Sequence, residues 1–176
     1  MLDSNWLIEF LEEVEPSLPQ EITLVAAGGT ALTPLGIKES TIDVDLTGPK
    51  GDIAAFRKAL ESVPHGAKFD LYADGAVFSQ LLPKDYLSRA KRIKRIGRID
   101  LRALHPVDII VTKAGRLDER DMEDIEACFR KFSPSRREIE ERGKQVEYVG
   151  HEETYRLKLD EVIRRLFDRR PAKARR

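Results

Sequence analysis

The chain has 176 residues, no net formal charge, and is 41% hydrophobic and 35% charged. That length supports a single hydrophobic core, and the balanced total excludes a polyanion binder acting through bulk charge. A lone cysteine, Cys128, excludes a disulfide framework and points to a reducing compartment; no apolar stretch reaches membrane-spanning length and no signal-type segment precedes the core, so a cytoplasmic protein without a membrane partner is expected.

The charge is unevenly placed. Residues 1–21 carry Asp3, Glu9, Glu12, Glu13, Glu15 and Glu21 and no lysine or arginine. The spacing of Trp6, Leu7, Phe10, Leu11 and Val14 predicts a helix over 4–14 with Ser4 as its cap, ended by Pro16 and Pro19. An apolar run over 22–28 then reads as a buried strand that stops at Gly28-Gly29-Thr30 and opens a short helix, ended by Pro34 and Gly36. Such a turn can offer backbone N–H groups and a hydroxyl to a phosphate.

The next strand carries Asp43 and Asp45. Residues two apart on a strand share a face, so the two carboxylates project together, opposite Ile42, Val44 and Leu46. Side by side and half-buried they repel unless neutralised. Oxygen ligands with no cysteine or histidine beside them suit Mg2+ or Mn2+ rather than zinc. An Asp-x-Asp pair alone is more often a solvated strand edge than a metal site. The glycine turn followed by the pair is the minimum equipment for a nucleoside triphosphate with its metal.

Gly48 to Gly51 reads as a turn, with Asp52 capping a helix over 53–62. Residues 68–72 read as a strand on which Asp70 alternates with Phe69 and Leu71. If that strand lies beside the Asp43/Asp45 strand, three carboxylates converge. Asp100 is the rival third acid. Asp70 is preferred because strand, helix, strand is the usual order of neighbours, and because Arg98 and Arg102 flank Asp100 and can neutralise it without metal. Between these acids, residues 84–98 hold seven basic residues against Asp85, read as a short helix over about 84–92 and a surface for phosphate, nucleic acid or acceptor. Farther on, Pro106 suits a first helical turn and Asp108 favours the positive helix end. Lys113 closes the apolar helix, where a buried ammonium needs a phosphate or a carboxylate. Asp121 and Asp124 are spaced to share a helix face.

The residues Gly28-Gly29-Thr30-Ala31-Leu32, Ser40-Thr41-x-Asp43-x-Asp45-Leu46, Asp108 with Lys113, and Arg120-Asp121-x-x-Asp124 together resemble the nucleotidyltransferase superfamily that shares the polymerase-beta-like core. Within it they look most like the AbiE-type toxin nucleotidyltransferases of type IV toxin–antitoxin systems. One departure is that Asp118 stands where that family has an arginine, with Arg116 two residues earlier. The resemblance implies an α/β (α+β) fold, a small mixed sheet flanked by helices. It also implies transfer of a nucleoside monophosphate from a nucleoside triphosphate to a hydroxyl. The acceptor would be an RNA 3′ end, a side chain of a partner protein or a small molecule, and an antitoxin would be a further partner. In that scheme Asp43, Asp45 and Asp70 bind Mg2+ or Mn2+ and catalyse. Gly28, Gly29, Thr30 and Lys113 meet the nucleotide, while Asp108, Arg120, Asp121 and Asp124 order the residues behind them.

Ser135 with Glu138 has capping-box spacing and opens a helix to about Gln145, and a last helix is read over about 152–168. The expected organisation is a nucleotidyltransferase-like core over 1–132, a helical extension over 133–170 and a disordered basic tail over 171–176. Two other readings are a nucleotide-binding module that has lost catalysis and a metal-dependent glycosyltransferase.

Overall fold

The computed structural model describes residues 1–168; the expected tail lies outside them. Among the described residues the order is α1 (Ser4–Val14), β1 (Ile22–Ala26), α2 (Gly28–Leu32), β2 (Asp43–Thr47), α3 (Lys50–Leu60), β3 (Lys68–Leu71), β4 (Ala76–Val77), β5 (Gln80–Leu81), α4 (Tyr86–Arg89), β6 (Lys91–Ile96), β7 (Ile99–Ala103), α5 (Pro106–Arg116), α6 (Glu119–Phe132), α7 (Arg136–Gln145), β8 (Glu147–Tyr148) and α8 (Glu152–Phe167). This is the expected mixed α/β architecture.

A five-stranded sheet runs β3-β2-β1-β7-β6, and β4-β5-β8 form a small second sheet. Strand β1 sits in the middle, antiparallel to β2 and parallel to β7. Four of its five residues are buried, which is why it reads as a continuous apolar run. Strands β2 and β3 are parallel, with α3 as the crossover, and their register places Asp45 beside Asp70. Phe69 points to the opposite face from Asp70 and packs against Phe10 of α1 and Phe56 of α3. One face of this end of the sheet therefore builds core, while the other presents carboxylates.

Several local expectations are corrected. The N-cap of α1 is Asp3, whose carboxylate accepts from Trp6 N at 2.7 Å, so Ser4 is already helical. Asp52 lies inside the first turn of α3, and its carboxylate accepts instead from Thr23 N of β1 at 2.8 Å, tying that helix to the sheet. The basic stretch is mainly a strand, with helix only over Tyr86–Arg89. Its charges meet the acids of the N-terminal segment: Lys94 bonds Glu12 at 3.3 Å, Arg95 bonds Glu21 at 2.6 Å and Arg98 reaches Glu15 at 3.5 Å. The two opposite charge blocks of the sequence thus answer each other within the chain.

Helices α7 and α8 pack on α5, and Tyr155 of α8 donates its hydroxyl to the Val111 carbonyl at 3.1 Å. Cys128 is buried, and burial pushes its thiol up to about 12, as suits a core residue. No helix among the described residues is long and apolar enough to cross a membrane.

Candidate active site

The approach of α2 to β2 creates the site. Gly28 has φ +52°, and a Cβ there would stand 2.4 Å from Asp45 Oδ2. Only glycine meets both the left-handed backbone and the close approach. A Cβ on Gly29 would stand 2.6 Å from Thr41 Oγ1. The Thr30 hydroxyl accepts from Asp45 N at 2.9 Å and donates to the Asp43 carbonyl at 3.2 Å. Thr30 therefore staples α2 to the backbone between the two aspartates and sets where their side chains stand. The amides of Gly28, Gly29 and Thr30 belong to the first turn of α2, where helical carbonyls cannot satisfy them.

Asp43 and Asp45 of β2 and Asp70 of β3 each bring a carboxylate oxygen to within 4.8 Å of the others. Asp45 is almost fully buried. Burial first, then the charges of Asp43 and Asp70, push its pKa up to about 7. A buried carboxylate facing two more is an electrostatic debt that a divalent cation cancels, so the donor set fits Mg2+ or Mn2+. Asp100 stands elsewhere, on β7. Arg92 bonds it at 3.0 and 3.1 Å and Arg102 at 2.7 and 3.0 Å, and although burial opposes them, these arginines hold its carboxyl below the usual range.

A cleft opens from Asp43 and Asp45 towards Lys113, Arg116 and Arg120. Lys113 is 2% exposed; its ammonium lies 2.8 Å from Asp121 and 2.9 Å from Asp124. Asp121 also receives Arg116 through two bonds, at 2.6 and 2.7 Å. Burial works against Asp121, yet Arg116 and Lys113 hold its carboxyl down to about 2. Arg116 keeps 46% of its side chain exposed and lies 4.3 Å from the centre of the Phe78 ring, a cation–π contact that fixes its plane. Asp118 caps α6 by accepting from Asp121 N at 2.8 Å. Asp124 also holds Lys38, at 3.1 Å.

Asp108 is fully buried away from the acidic trio and is gripped by Arg142 of α7 at 2.5 and 3.1 Å. Nothing in the sequence pointed to Arg142, which lies 34 positions away on a polar helix. Phe78, packed between Arg116 and the Gly28 turn, was likewise unmarked. Lys68 could have been found: it sits two places before Asp70 on one strand face and bonds it at 2.6 Å.

No curated protein matches the sequence. Among solved structures, the crystal structure of ANT(2")-Ia in complex with adenylyl-2"-tobramycin is similar at 14% identity, covering 90% of this chain and 98% of that one, with a TM-score of 0.45. The sequence does match, over residues 5–129, the family described as "Nucleotidyltransferase of unknown function (DUF6036)". That match spans β1, the glycine turn, all three clustered aspartates and the Lys113–Asp121–Asp124 group, so the chain belongs to this nucleotidyltransferase family.

Proposed function

We propose that the chain moves a nucleoside monophosphate from a nucleoside triphosphate to a hydroxyl acceptor, with Mg2+ or Mn2+ held by Asp43, Asp45 and Asp70. The observation that carries this reading is the meeting of three carboxylates within 4.8 Å beside the Gly28–Gly29 turn. A divalent cation bound there would supply positive charge against the charge that builds on the α-phosphate and the departing pyrophosphate.

The chain's own residues do the rest. Asp45 and Asp43 fix the ligand geometry through Thr30. Asp70 keeps a third of its side chain exposed and is open to an incoming hydroxyl, whose proton it takes. The first amides of α2 meet phosphate oxygens. Arg116, braced by Asp121 and Phe78, turns its exposed edge to the same phosphates. Lys113 is enclosed by Asp121 and Asp124 and contributes positive charge from behind them. The new P–O bond forms to the acceptor oxygen as the bond to pyrophosphate breaks, and catalysis is mostly positioning and electrostatics.

The acceptor is an RNA 3′ end or a protein side chain. The basic residues of β6 and the turn after it support RNA less than their density promised, because Asp100 holds Arg92, Glu12 holds Lys94, Glu21 holds Arg95 and Glu15 holds Arg98. The likeness of Asp108, Lys113, Arg120, Asp121 and Asp124 to AbiE-type motifs supports a toxin restrained by an antitoxin. Residues 1–132 form the catalytic core in this reading, and the helices after 133 brace α5 from outside.

Incubation with each α-labelled nucleoside triphosphate, Mg2+ and either total RNA or lysate protein tests the reaction. Transfer that disappears in Asp45→Ala is expected. Tight nucleotide binding with no transfer to any acceptor would leave the non-catalytic module instead. For the toxin role, expression should arrest growth and Asp43→Ala should relieve the arrest; harmless expression of an active enzyme would remove that role alone.

A further inference from the structure

Lys68 shares the sheet face of Asp70, and the β2–β3 register sets it beside Asp43. Its ammonium donates to Asp70 Oδ2 at 2.6 Å. Asp70 foremost, then Asp43 and Asp45, hold that ammonium in its charged form. Among the described residues no other cationic side chain makes an ion pair with the trio. Lys113 and Arg116, the neighbouring cations of the cleft, are committed to Asp121.

We propose that Lys68 competes with the metal for the acidic trio: its ammonium holds Asp70, one of the three carboxylates that would hold a divalent cation, and binding of that cation would displace it. The inference rests on the metal-dependent reading above. The carboxylate that Lys68 holds is one of the three that the metal needs. The lysine also lowers by one the negative charge that an approaching cation meets. Its side chain is 68% exposed, so the pair gives way readily, and Lys68 tunes the affinity without blocking the site. The half-filling concentration of free metal would then be raised by a residue that is not itself a ligand.

The test is Mn2+ binding to the whole chain without nucleotide, followed by calorimetry and by the paramagnetic resonance signal of free Mn2+. Lys68→Met removes the charge, keeps most of the stem, and is expected to bind Mn2+ about twofold to fivefold more tightly, the range for losing an exposed ion pair. Lys68→Arg keeps the charge and should bind as the wild type does. Asp45→Asn should abolish binding in both backgrounds. Unchanged or weaker binding by Lys68→Met would overturn the competition, as would Lys68→Arg binding as tightly as Lys68→Met. In either case Asp45-dependent binding would leave the metal reading standing. No Mn2+ binding by the wild type at millimolar metal would sink both.

Discussion

Asp45 on β2 and Asp108 on α5 are both carboxylates withdrawn from water, and the chain treats them in opposite ways. Asp108 is clasped by Arg142 through two bonds, at 2.5 and 3.1 Å, and its charge is cancelled where it stands. Among the described residues no arginine or lysine is bonded to Asp45; its near neighbours are two more carboxylates and a glycine turn. Asp100 follows the first pattern, with Arg92 and Arg102 on it, as does Asp121 with Lys113 and Arg116. A buried acid with a matched base holds the fold in register. A buried acid whose neighbours share its sign costs stability, and such strain is tolerated where a cation or substrate relieves it. The proposed function places its chemistry in the cleft beside Asp45, and the Asp108–Arg142 pair is the pin between α5 and α7.

The largest expected effect lies on the unbalanced side. Asp45→Asn should lower kcat/KM for nucleotidyl transfer by about 10³-fold or more, because about several kcal/mol of metal-borne charge stabilisation is lost. The same substitution should raise the melting temperature of metal-free protein at pH 8, because it removes like-charge repulsion. A lower melting temperature would place Asp45 with Asp108 as a purely structural acid. On the balanced side, Arg142→Met should cost about 3–5 kcal/mol in denaturant unfolding by leaving buried Asp108 only Arg89, at 3.8 Å, and Asp108→Asn added to it should return much of that loss. Without such a recovery, Arg142 would act through packing rather than charge.

Gly28→Ala sharpens the contrast at the contact point. The left-handed backbone at φ +52° costs a β-carbon roughly 1–2 kcal/mol. The 2.4 Å approach also pushes the Asp45 carboxylate aside. Activity should fall about tenfold or more, with the melting temperature dropping only a few degrees. Full activity in that variant would show that the close approach is incidental.

A fourth contrast is the pH dependence of the metal-free protein. The folded pKa of Asp45 is raised from 3.8 to about 7, so between those values the folded state holds a proton that the unfolded state releases, and stability falls as pH rises. Asp121 behaves oppositely. Its folded pKa is lowered from 3.8 to about 2, so its contribution is present above pH 4 and is lost as pH falls towards 2. Thermal melts should show both limbs. Mg2+ at pH 8 should recover the stability lost on the alkaline limb, and Asp45→Asn should flatten that limb.

Much of this was legible along the chain because it depends on short-range periodicity. The alternation of Asp43, Val44 and Asp45, the apolar run of β1 and its stop at Gly28 are local patterns with local causes. The capping box of Ser135 with Glu138 is of the same kind. The short helix read over about 84–92 covers only Tyr86–Arg89, for a long-range reason. Lys91 to Ile96 are held extended by pairing with β7, and propensity cannot see a partner strand. Asp52 failed likewise, because its carboxylate was taken by Thr23 of a strand 29 residues earlier.

Strand phase alone determined that Asp43 and Asp45 look the same way and that Asp70 and Asp100 were the acids able to join them. Sheet order chose between the two. Asp70 lies beside Asp45 because β3 pairs with β2, whereas β1 separates β2 from the strand that carries Asp100. Which charges are matched was decided the same way for Asp108, since an ion pair depends on distance in space and Arg142 reaches it only once α7 has packed on α5.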